Sequence, residues 1–234
     1  MKKFEKQTFI DTDKLCIIRL DGTGMAKRFR TNQIINETFE AVMEKTMLRL
    51  MEYFSSAILA YQCSDGISIL FDLRKKDEAY QTRLENEILY RTEKLITIAA
   101  SLAGTAFTNA MNDRNEYFFD CRLIQPEKEK LQKYFDSRQG FILNMFLENL
   151  RNFTIDGKIV NDNKIHGSKS IIEALKALDK PIIYENFPKS SRNGLLMYRS
   201  DGIIIAEDAE VFIEDRNYLD NLLSEKVFAS CKLA

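Results

Sequence analysis

The sequence is poor in histidine, which limits the mechanisms it can carry. Its one histidine, His166, is the single candidate for a Ser-His-Asp triad or a histidine-based metal hydrolase. It lies in a polar segment, residues 161–169, with no partner implied, so an exposed loop residue is the simpler interpretation. We therefore expect any chemistry in this chain to depend on carboxylates.

No metal-ligand spacing joins the four cysteines, Cys16, Cys63, Cys121 and Cys231. Together with one histidine they cannot complete a zinc site. Three of them lie in apolar, strand-like runs, where a free cysteine commonly packs as a small buried side chain. We expect these three to be core residues.

Long apolar runs and an excess of either charge are also missing. The longest apolar runs, residues 67–71 and 202–206, are far too short to cross a bilayer, and residues 1–6 lack the apolar region of a signal peptide. The 34 basic and 35 acidic side chains leave a formal net charge of −1, which argues against a generally basic nucleic-acid coat but not against a local basic groove. We expect a cytoplasmic protein with no membrane partner.

With 234 residues, of which 45% are hydrophobic and 29% charged, the chain is long enough for one large domain or a domain with a smaller addition. No repeat, low-complexity tract or clean linker divides it. We expect a core over residues 1–150, with a C-terminal extension of helices and strands over residues 151–234 packed on that core.

The apolar pattern predicts an α+β fold. Apolar residues recur at three- and four-residue spacing in the helical segments and form short runs in the strands. The core segments are a strand at 15–20, a helix at 36–54, strands at 57–63 and 67–73, a helix at 77–111 and a strand at 117–124. Further helices are predicted at 127–134, 138–151 and 170–178, loops at 156–169 and 186–193, and strands at 195–198 and 202–206. Within the long helix, Gly104 marks either a close packing contact or a break.

This order of elements is the split βαβ, or ferredoxin-like, arrangement, an antiparallel sheet with both helices on one face. Right-handed crossovers then place the first and third strands side by side and antiparallel. Asp21 ends the first strand, and Asp65 lies in the turn before the third. We therefore expect Asp21 and Asp65 to be neighbours at one edge of the sheet.

Two aspartates at adjacent strand ends suit a divalent metal. Mg²⁺ takes oxygen ligands, usually one or two carboxylates with water and substrate phosphates. Gly22 and Gly24 let the backbone approach phosphate oxygens, and amide groups of such a turn can hold an anion. Two metal ions together would activate an attacking hydroxyl and neutralise a leaving pyrophosphate. The alternative is that both aspartates are ordinary turn residues, although unpaired neighbouring carboxylates would repel each other.

Six short motifs along residues 15–199 occur in an order that resembles the histidine-tRNA guanylyltransferase family, and more closely its 3′-to-5′ polymerase relatives. The motifs are RLDGTG at 19–24, YQCSDGIS at 61–68, Arg91 with Lys94, FDCR at 119–122, Arg138 with Gln139, and RNG at 192–194. The resemblance implies a palm-like nucleotidyltransferase core, the fold of ordinary polymerases, that adds nucleotides to the 5′ end of RNA.

The resemblance also implies roles for individual residues. Asp21 and Asp65 look like the catalytic, metal-binding aspartates, with the Gly22 carbonyl as a further ligand and two Mg²⁺ ions expected. Nucleotide contacts are implied for Asp21, Gly22, Thr23, Gly24, Met25, Ala26, Ser64, Asp65, Arg91 and Lys94. Possible contacts to RNA or nucleotide are implied for Arg122, Arg138, Asn144 and Arg192.

Simpler interpretations exist for several of these cations. Arg91 and Lys94 are three residues apart, so on a helix they share a face and can clamp one triphosphate. The alternative is a solvated face that pairs with acidic neighbours such as Glu87 or Glu93. Likewise, Asp120 and Arg122 lie on the same face of a strand and could form an ordinary cross-strand ion pair.

The chain departs from the family pattern in three places. Gly66 stands where the family usually carries a glutamate, so one acidic residue beside the metals is missing. Residues 34–37, IINE, replace the usual Lys-Pro-Asn-Asp run and remove a cationic nucleotide contact. Residues 142–144, ILN, lack the histidine of an element tied to histidine-tRNA selection.

We accordingly predict an Mg²⁺-dependent nucleotidyltransferase that uses GTP or ATP and a tRNA or other RNA 5′ end, in tRNA 5′-end repair or guanylylation. A homotetramer is expected by family resemblance. One alternative is a nucleotide cyclase or dinucleotide synthase on the same palm-type core. The other is a nucleotide- or RNA-binding relative without activity, suggested by Gly66.

Overall fold

The computed structural model of the protein describes residues 8–25, 37–74, 78, 82, 91–151, 154–155, 158–159, 168–178, 181–200, 203–209 and 217–221. Its strands are β1 (Leu15–Gly22), β2 (Leu59–Cys63), β3 (Gly66–Asp72), β4 (Phe119–Ile124), β5 (Thr154–Ile155), β6 (Lys158–Ile159), β7 (Leu195–Ser200) and β8 (Ile203–Asp208). Its helices are α1 (Glu37–Tyr53), α2 (Thr92–Met111), α3 (Lys128–Arg151), α4 (Ser168–Lys176), α5 (Lys189–Asn193) and α6 (Tyr218–Asn221). None of the helices described has the length and apolar character needed to cross a membrane.

Six strands form one antiparallel sheet in the order β4-β1-β3-β2-β7-β8, and β5 and β6 form a separate hairpin. β1 pairs with β3 on one side and with β4 on the other, as the split βαβ arrangement requires. The predicted α+β class and the pairing of the first and third strands are therefore confirmed.

Alternation along β1 separates two cores. Cys16, Ile18 and Leu20 face one side of the sheet and pack with α1 and α2 in one buried cluster. Leu15 and Ile17 face the other side, where they share a second buried cluster with residues of α3. The two helices of the split βαβ unit thus lie on one face, as predicted, and α3 covers the other.

The predicted helices at 127–134 and 138–151 are one continuous helix, α3. Leu131, Phe135 and Ile142 are all buried against the sheet, at spacings that keep them on one side of the helix. Neither proline nor glycine occurs between Tyr134 and Arg138, so nothing in the sequence interrupts the backbone there. The predicted break was wrong.

The predicted helix at 77–111 was also wrong in extent, because α2 begins at Thr92. Arg91 has an extended backbone, with φ −113° and ψ 120°, and forms a β-bridge with Phe9. The Thr92 amide donates to the carbonyl of Thr8 at 2.9 Å. Between residues 77 and 90 of the predicted helix, the structure describes only residues 78 and 82, and both are helical. Arg91 is therefore extended rather than helical, because this segment pairs with Thr8 and Phe9.

The C-terminal part of the chain continues the same sheet, since β7 pairs with β2. Two side-chain contacts add to this: the Arg199 guanidinium donates to the Met51 carbonyl in α1, and the Ser191 hydroxyl donates to Glu40 at 2.7 Å. The predicted loop at 186–193 contains α5, and the predicted loop at 156–169 contains β6 and the start of α4. The division at residue 150 stays a prediction, and His166 lies outside the described residues.

The cysteines confirm the expected packing. Cys16 and Cys63 are buried, Cys121 is partly buried, and all three are free thiols. Burial raises the pKa of Cys121 to about 12, with Asp120 adding to the effect. Cys231 lies outside the described residues.

Gly104 marks a packing contact rather than a break. A Cβ atom at this position would lie 2.9 Å from the carbonyl oxygen of Tyr117, while α2 continues through it. In α3, a Cβ at Gly140 would meet nothing within 4 Å. The two helical glycines therefore differ in whether there is room for a side chain.

We expect Gly104→Ala and Gly140→Ala to change stability in opposite directions. Alanine gains about 0.5–1 kcal/mol over glycine in a helix, which stabilises at Gly140. At Gly104 the clash with a backbone carbonyl outweighs that gain, and we expect a net loss of about 1–3 kcal/mol. Urea denaturation of both variants measures the difference. Stabilisation by both substitutions would contradict the close contact between α2 and the segment before β4.

Candidate functional site

The register of β1 against β3 brings Asp21 and Asp65 to one edge of the sheet. Asp21 pairs with Gly66, the residue directly after Asp65. The Gly22 amide donates to the Asp65 carbonyl at 2.9 Å, which ties the end of β1 to the turn that carries Asp65. The predicted adjacency is therefore confirmed, whereas the catalytic and metal-binding roles stay predictions.

Asp65 lies in a tight two-residue turn between β2 and β3, because Cys63 pairs directly with Gly66. Ser64 has a left-handed backbone with φ 59°, a conformation that costs free energy for a residue with a side chain. The Gln62 side-chain amide donates to the Ser64 carbonyl at 2.8 Å and holds the turn. Strain of this kind is often found at functional sites, where it presents a side chain in a fixed direction.

Two arginines flank the Asp21 carboxylate. Arg19 Nη2 lies 3.0 Å from Asp21 Oδ1 and 2.9 Å from Oδ2, and Arg138 Nη2 lies 4.0 Å from Oδ1. Arg19 was not among the predicted site residues. The signal was present, because residues two apart on a strand share a face and Arg19 precedes Asp21 by two.

A third acidic residue lies across from Asp21. Asp120 in β4 is its register partner, and Arg122 Nη2 contacts Asp120 Oδ2 at 2.8 Å. Both side chains are at least half exposed. The ion pair between Asp120 and Arg122 therefore lies within one strand and is not a cross-strand pair. Across the two strands, Arg122 is the register partner of Arg19.

The turn after β1 uses two of its amides within the protein. The Gly22 amide donates to Asp65, and the Thr23 amide donates to the Phe118 carbonyl at 2.8 Å. Gly24 has a left-handed backbone with φ +70°. Met25 is buried against Gly22, and a Cβ atom at position 22 would clash with the Met25 sulfur. The predicted anion-binding amides at Gly22 and Thr23 are therefore engaged. Ala26 lies outside the described residues.

Arg91 and Lys94 do not share a helical face, which corrects that prediction. Arg91 precedes α2 in an extended conformation, and Lys94 lies in the first turn. The Glu93 carboxylate accepts hydrogen bonds from its own backbone amide and from the Thr8 amide, the latter at 2.8 Å, and these two bonds lower the pKa of Glu93. Both cations still lie at the N-terminal end of α2, where a helix dipole favours an anion.

The remaining predicted contacts lie elsewhere on the fold. Asn144 is exposed on α3 and follows Arg138 by six residues, which puts it on a different side of the helix. Arg192 stacks on the Tyr184 ring at 4.8 Å and donates from Nε to the Phe187 carbonyl at 3.0 Å. These contacts give Arg192 a structural role in the C-terminal part of the chain.

The oxygen donors at the sheet edge suit Mg²⁺. Asp21 and Asp65 could supply carboxylates, and the Gly22 carbonyl could supply a further oxygen; Mg²⁺ commonly binds one or two carboxylates and keeps several waters. Within the described part of the chain, no group of three or more histidine, cysteine or acidic side chains converges on one point. A closed cage of such protein ligands is thus not present among those residues.

A split βαβ sheet with two aspartates at adjacent strand ends is the arrangement of a palm-type nucleotidyltransferase. The sequence model of the Thg1 family, tRNAHis guanylyltransferase, matches residues 1–142. The chain therefore belongs to the tRNAHis guanylyltransferase family, and the resemblance inferred from the motifs is confirmed. Members of this family are nucleotidyltransferases.

Solved structures show the same fold. A bacterial tRNA(His) guanylyltransferase (Thg1)-like protein in complex with ATP is 18% identical, with a TM-score of 0.80 over 93% of each chain. A structure of such a bacterial protein in complex with GTP is 19% identical, with a TM-score of 0.70 over 93% of each chain. The tRNA(His) guanylyltransferase of Saccharomyces cerevisiae is 18% identical, with a TM-score of 0.72 over 90% of this chain and 95% of that one. A comparison with curated proteins found no match.

The contact between β2 and α3 beneath the site can be tested through Cys63. Its thiol donates to the Arg138 carbonyl at 3.2 Å, and burial raises its pKa to about 11. Because the thiolate is the reactive form, we expect Cys63 in the folded protein to resist iodoacetamide at pH 8 and to react only as the pH approaches 11. Peptide mass spectrometry of folded and urea-unfolded protein measures this. Equal labelling rates in the two states at pH 8 would contradict the burial.

Proposed function

We propose that this chain adds nucleotides to the 5′ end of an RNA, with tRNA as the expected substrate, in the 3′-to-5′ direction and with two Mg²⁺ ions. The observation that carries the proposal is the pairing of Asp21 with Gly66, which brings both aspartates to one edge. Family membership supports the nucleotidyl transfer, and the bacterial relatives solved with ATP and GTP support a nucleoside triphosphate as co-substrate.

Each residue of the site has a separate proposed role. When bound, Mg²⁺ would supply Lewis-acid stabilisation of the attacking and leaving oxygens. Asp21 and Asp65 would hold the metal, and the strained Ser64-Asp65 turn would fix the Asp65 side chain in place. Arg19, bonded to both Asp21 oxygens, orients that carboxylate and leaves its remaining lone pairs for a ligand.

The start of α2 is proposed to bind the triphosphate through side chains. The Thr92 amide donates to the Thr8 carbonyl, and the Glu93 amide donates to its own side-chain carboxylate. The backbone amides of the first turn are therefore partly used. Arg91 and Lys94 supply the positive charge there, and they approach a common ligand from the extended segment and the first turn rather than from one helical face.

The RNA partner distinguishes this function from a nucleotide cyclase. A 5′-end polymerase requires an RNA and produces a longer one, whereas a cyclase converts nucleoside triphosphate alone. Incubation of the protein with labelled GTP or ATP, Mg²⁺ and a 5′-truncated tRNA should give an RNA extended at its 5′ end. A cyclic or dinucleotide product formed equally well without RNA would refute the proposal. The tetramer stays a prediction by family resemblance.

Asp65→Asn should abolish RNA extension without changing the fold. The substitution removes a charged metal ligand and keeps the side-chain volume, so the thermal melting temperature should stay near that of the wild type. Asp13→Asn, an exposed aspartate before β1, is the matched control and should keep full activity. Single-turnover RNA extension measures both. Wild-type rates in Asp65→Asn would remove it from the catalytic site.

Replacing both Arg91 and Lys94 by alanine should weaken nucleoside triphosphate binding. Charge-assisted hydrogen bonds are worth about 1.5–3 kcal/mol each, or roughly one to two orders of magnitude in affinity per residue. Stability should fall by no more than about 1 kcal/mol, because exposed ion pairs contribute little. Nucleotide titration alongside thermal melts separates the two effects. The double substitution of the exposed Lys128 and Lys130 is the charge-matched control, and equal affinity in all three proteins would assign Arg91 and Lys94 to a solvated surface.

A further inference from the structure

Gln62 is a polar side chain in β2, a strand whose five residues are all buried. The residue is 6% exposed. Burial of an amide costs free energy unless the amide is hydrogen-bonded. Its Nε2 atom donates to the Ser64 carbonyl, two residues further along the chain, at 2.8 Å. The buried amide is therefore bonded to the turn that carries Asp65.

The two peptide groups on either side of Asp65 are both held by groups outside the turn. The Ser64 carbonyl, in the peptide before Asp65, accepts from the Gln62 side chain. The Asp65 carbonyl, in the peptide after it, accepts from the Gly22 amide at 2.9 Å. Because the peptide planes before and after a residue define its φ and ψ angles, these two bonds together fix the direction in which the Asp65 side chain leaves the backbone.

The turn needs this support because its backbone conformation is unfavourable. Ser64 has φ 59°, whereas Asp65 is not among the described residues with positive φ. A positive φ at the first central residue alone is the pattern of a type II′ turn, in which glycine is preferred at that position. Serine therefore adopts, at a cost, a conformation that glycine adopts freely. The hydrogen bond from Gln62 offsets part of that cost.

The start of β7 holds the backbone of Gln62 in place. Gln62 pairs with Leu195, and a Cβ atom at Gly194 would lie 2.4 Å from the Gln62 carbonyl oxygen. The Tyr61 hydroxyl donates to the Asn193 carbonyl at 2.6 Å. The RNG motif thus packs directly against the part of β2 that leads into the turn.

We infer that Gln62 is a positioning residue for the metal site: it holds the peptide before Asp65, so that Asp65 presents its carboxylate in one direction at the edge shared with Asp21. The inference deepens the proposed function and rests on it, because it requires Asp65 to bind the divalent ion. Gln62 acts through the Ser64 carbonyl and is not itself a ligand.

Gln62→Met tests the inference, because methionine keeps the approximate length and volume of glutamine and removes the donor. We expect it to weaken Mn²⁺ binding by about two- to tenfold, the factor that one ordinary hydrogen bond contributes. Adding Ser64→Gly should recover most of this affinity, since glycine adopts a positive φ without support.

The matched control is Gln125→Met, which removes a bond of the same kind at the opposite end of the sheet from Asp21. There the Gln125 side-chain amide donates to the Asp11 carbonyl at 2.7 Å, beyond the pairing of Ile124 with Ile17. This variant should bind Mn²⁺ like the wild type.

Binding of Mn²⁺ alone is measured by electron paramagnetic resonance, and the site is defined as the binding that Asp65→Asn loses. Hydrogen exchange at Asp65 and Gly66 measures the order of the turn without metal, and it should be faster in Gln62→Met. The Mg²⁺ concentration for half-maximal RNA extension should rise by the same factor as the Kd for Mn²⁺, with the KM for RNA unchanged.

A lower melting temperature of Gln62→Met with wild-type Mn²⁺ affinity would show that Gln62 contributes only to stability, and it would overturn the inference. Equal losses of affinity with and without Ser64→Gly would assign the effect to packing at residue 62 and overturn it as well.

Failure of the proposed function gives a different result. In that case the wild-type protein would not extend RNA, although its Mn²⁺ affinity would still depend on Gln62. Conversely, RNA extension by the wild type together with unchanged Mn²⁺ affinity in Gln62→Met would leave the proposed function standing and remove only this inference.

Discussion

The register between β1 and β3 is the constraint on which the site depends. Seven residue pairs, from Leu15 with Asp72 to Asp21 with Gly66, align the two strands, and every residue of β3 is buried. A slip by one residue would turn each side chain of β1 to the opposite face and carry Asp21 toward α1 and α2. Packing of Cys16, Ile18 and Leu20 in the core therefore also fixes the direction of the acidic side chain.

Much of this geometry could be predicted from the sequence because it follows from local periodicity and chain topology. The strand and helix patterns gave the split βαβ order, and right-handed crossovers then placed Asp21 beside Asp65. The alternation of side chains along β1 also predicts that Arg19 lies on the same face as Asp21. These features depend on short stretches of chain whose apolar pattern is clear.

The features that could not be predicted depend on contacts between distant residues. Helix α2 begins only after Arg91 because Phe9 and Thr8, more than eighty residues earlier, pair with this segment. Nor did any local pattern show that Arg138 of α3 reaches the space above Gly66. Gly22 and Gly24 were interpreted through phosphate binding, whereas the structure also explains them by the packing of Met25 and a left-handed turn. The two explanations are compatible, since one turn can serve packing and approach of a ligand.

The pairing of opposite charges along the sheet edge has a consequence for how substrates arrive. Arg19 and Arg138 lie beside Asp21, and Arg122 lies beside Asp120, so charges of both signs alternate over a few ångströms. The fields of such pairs cancel beyond about 10 Å at ordinary salt, and a net charge of −1 adds no attraction for a polyanion. These ion pairs therefore contribute little long-range steering of RNA toward this edge. Differences in affinity between RNAs would then lie in how long each stays bound rather than in how fast it arrives.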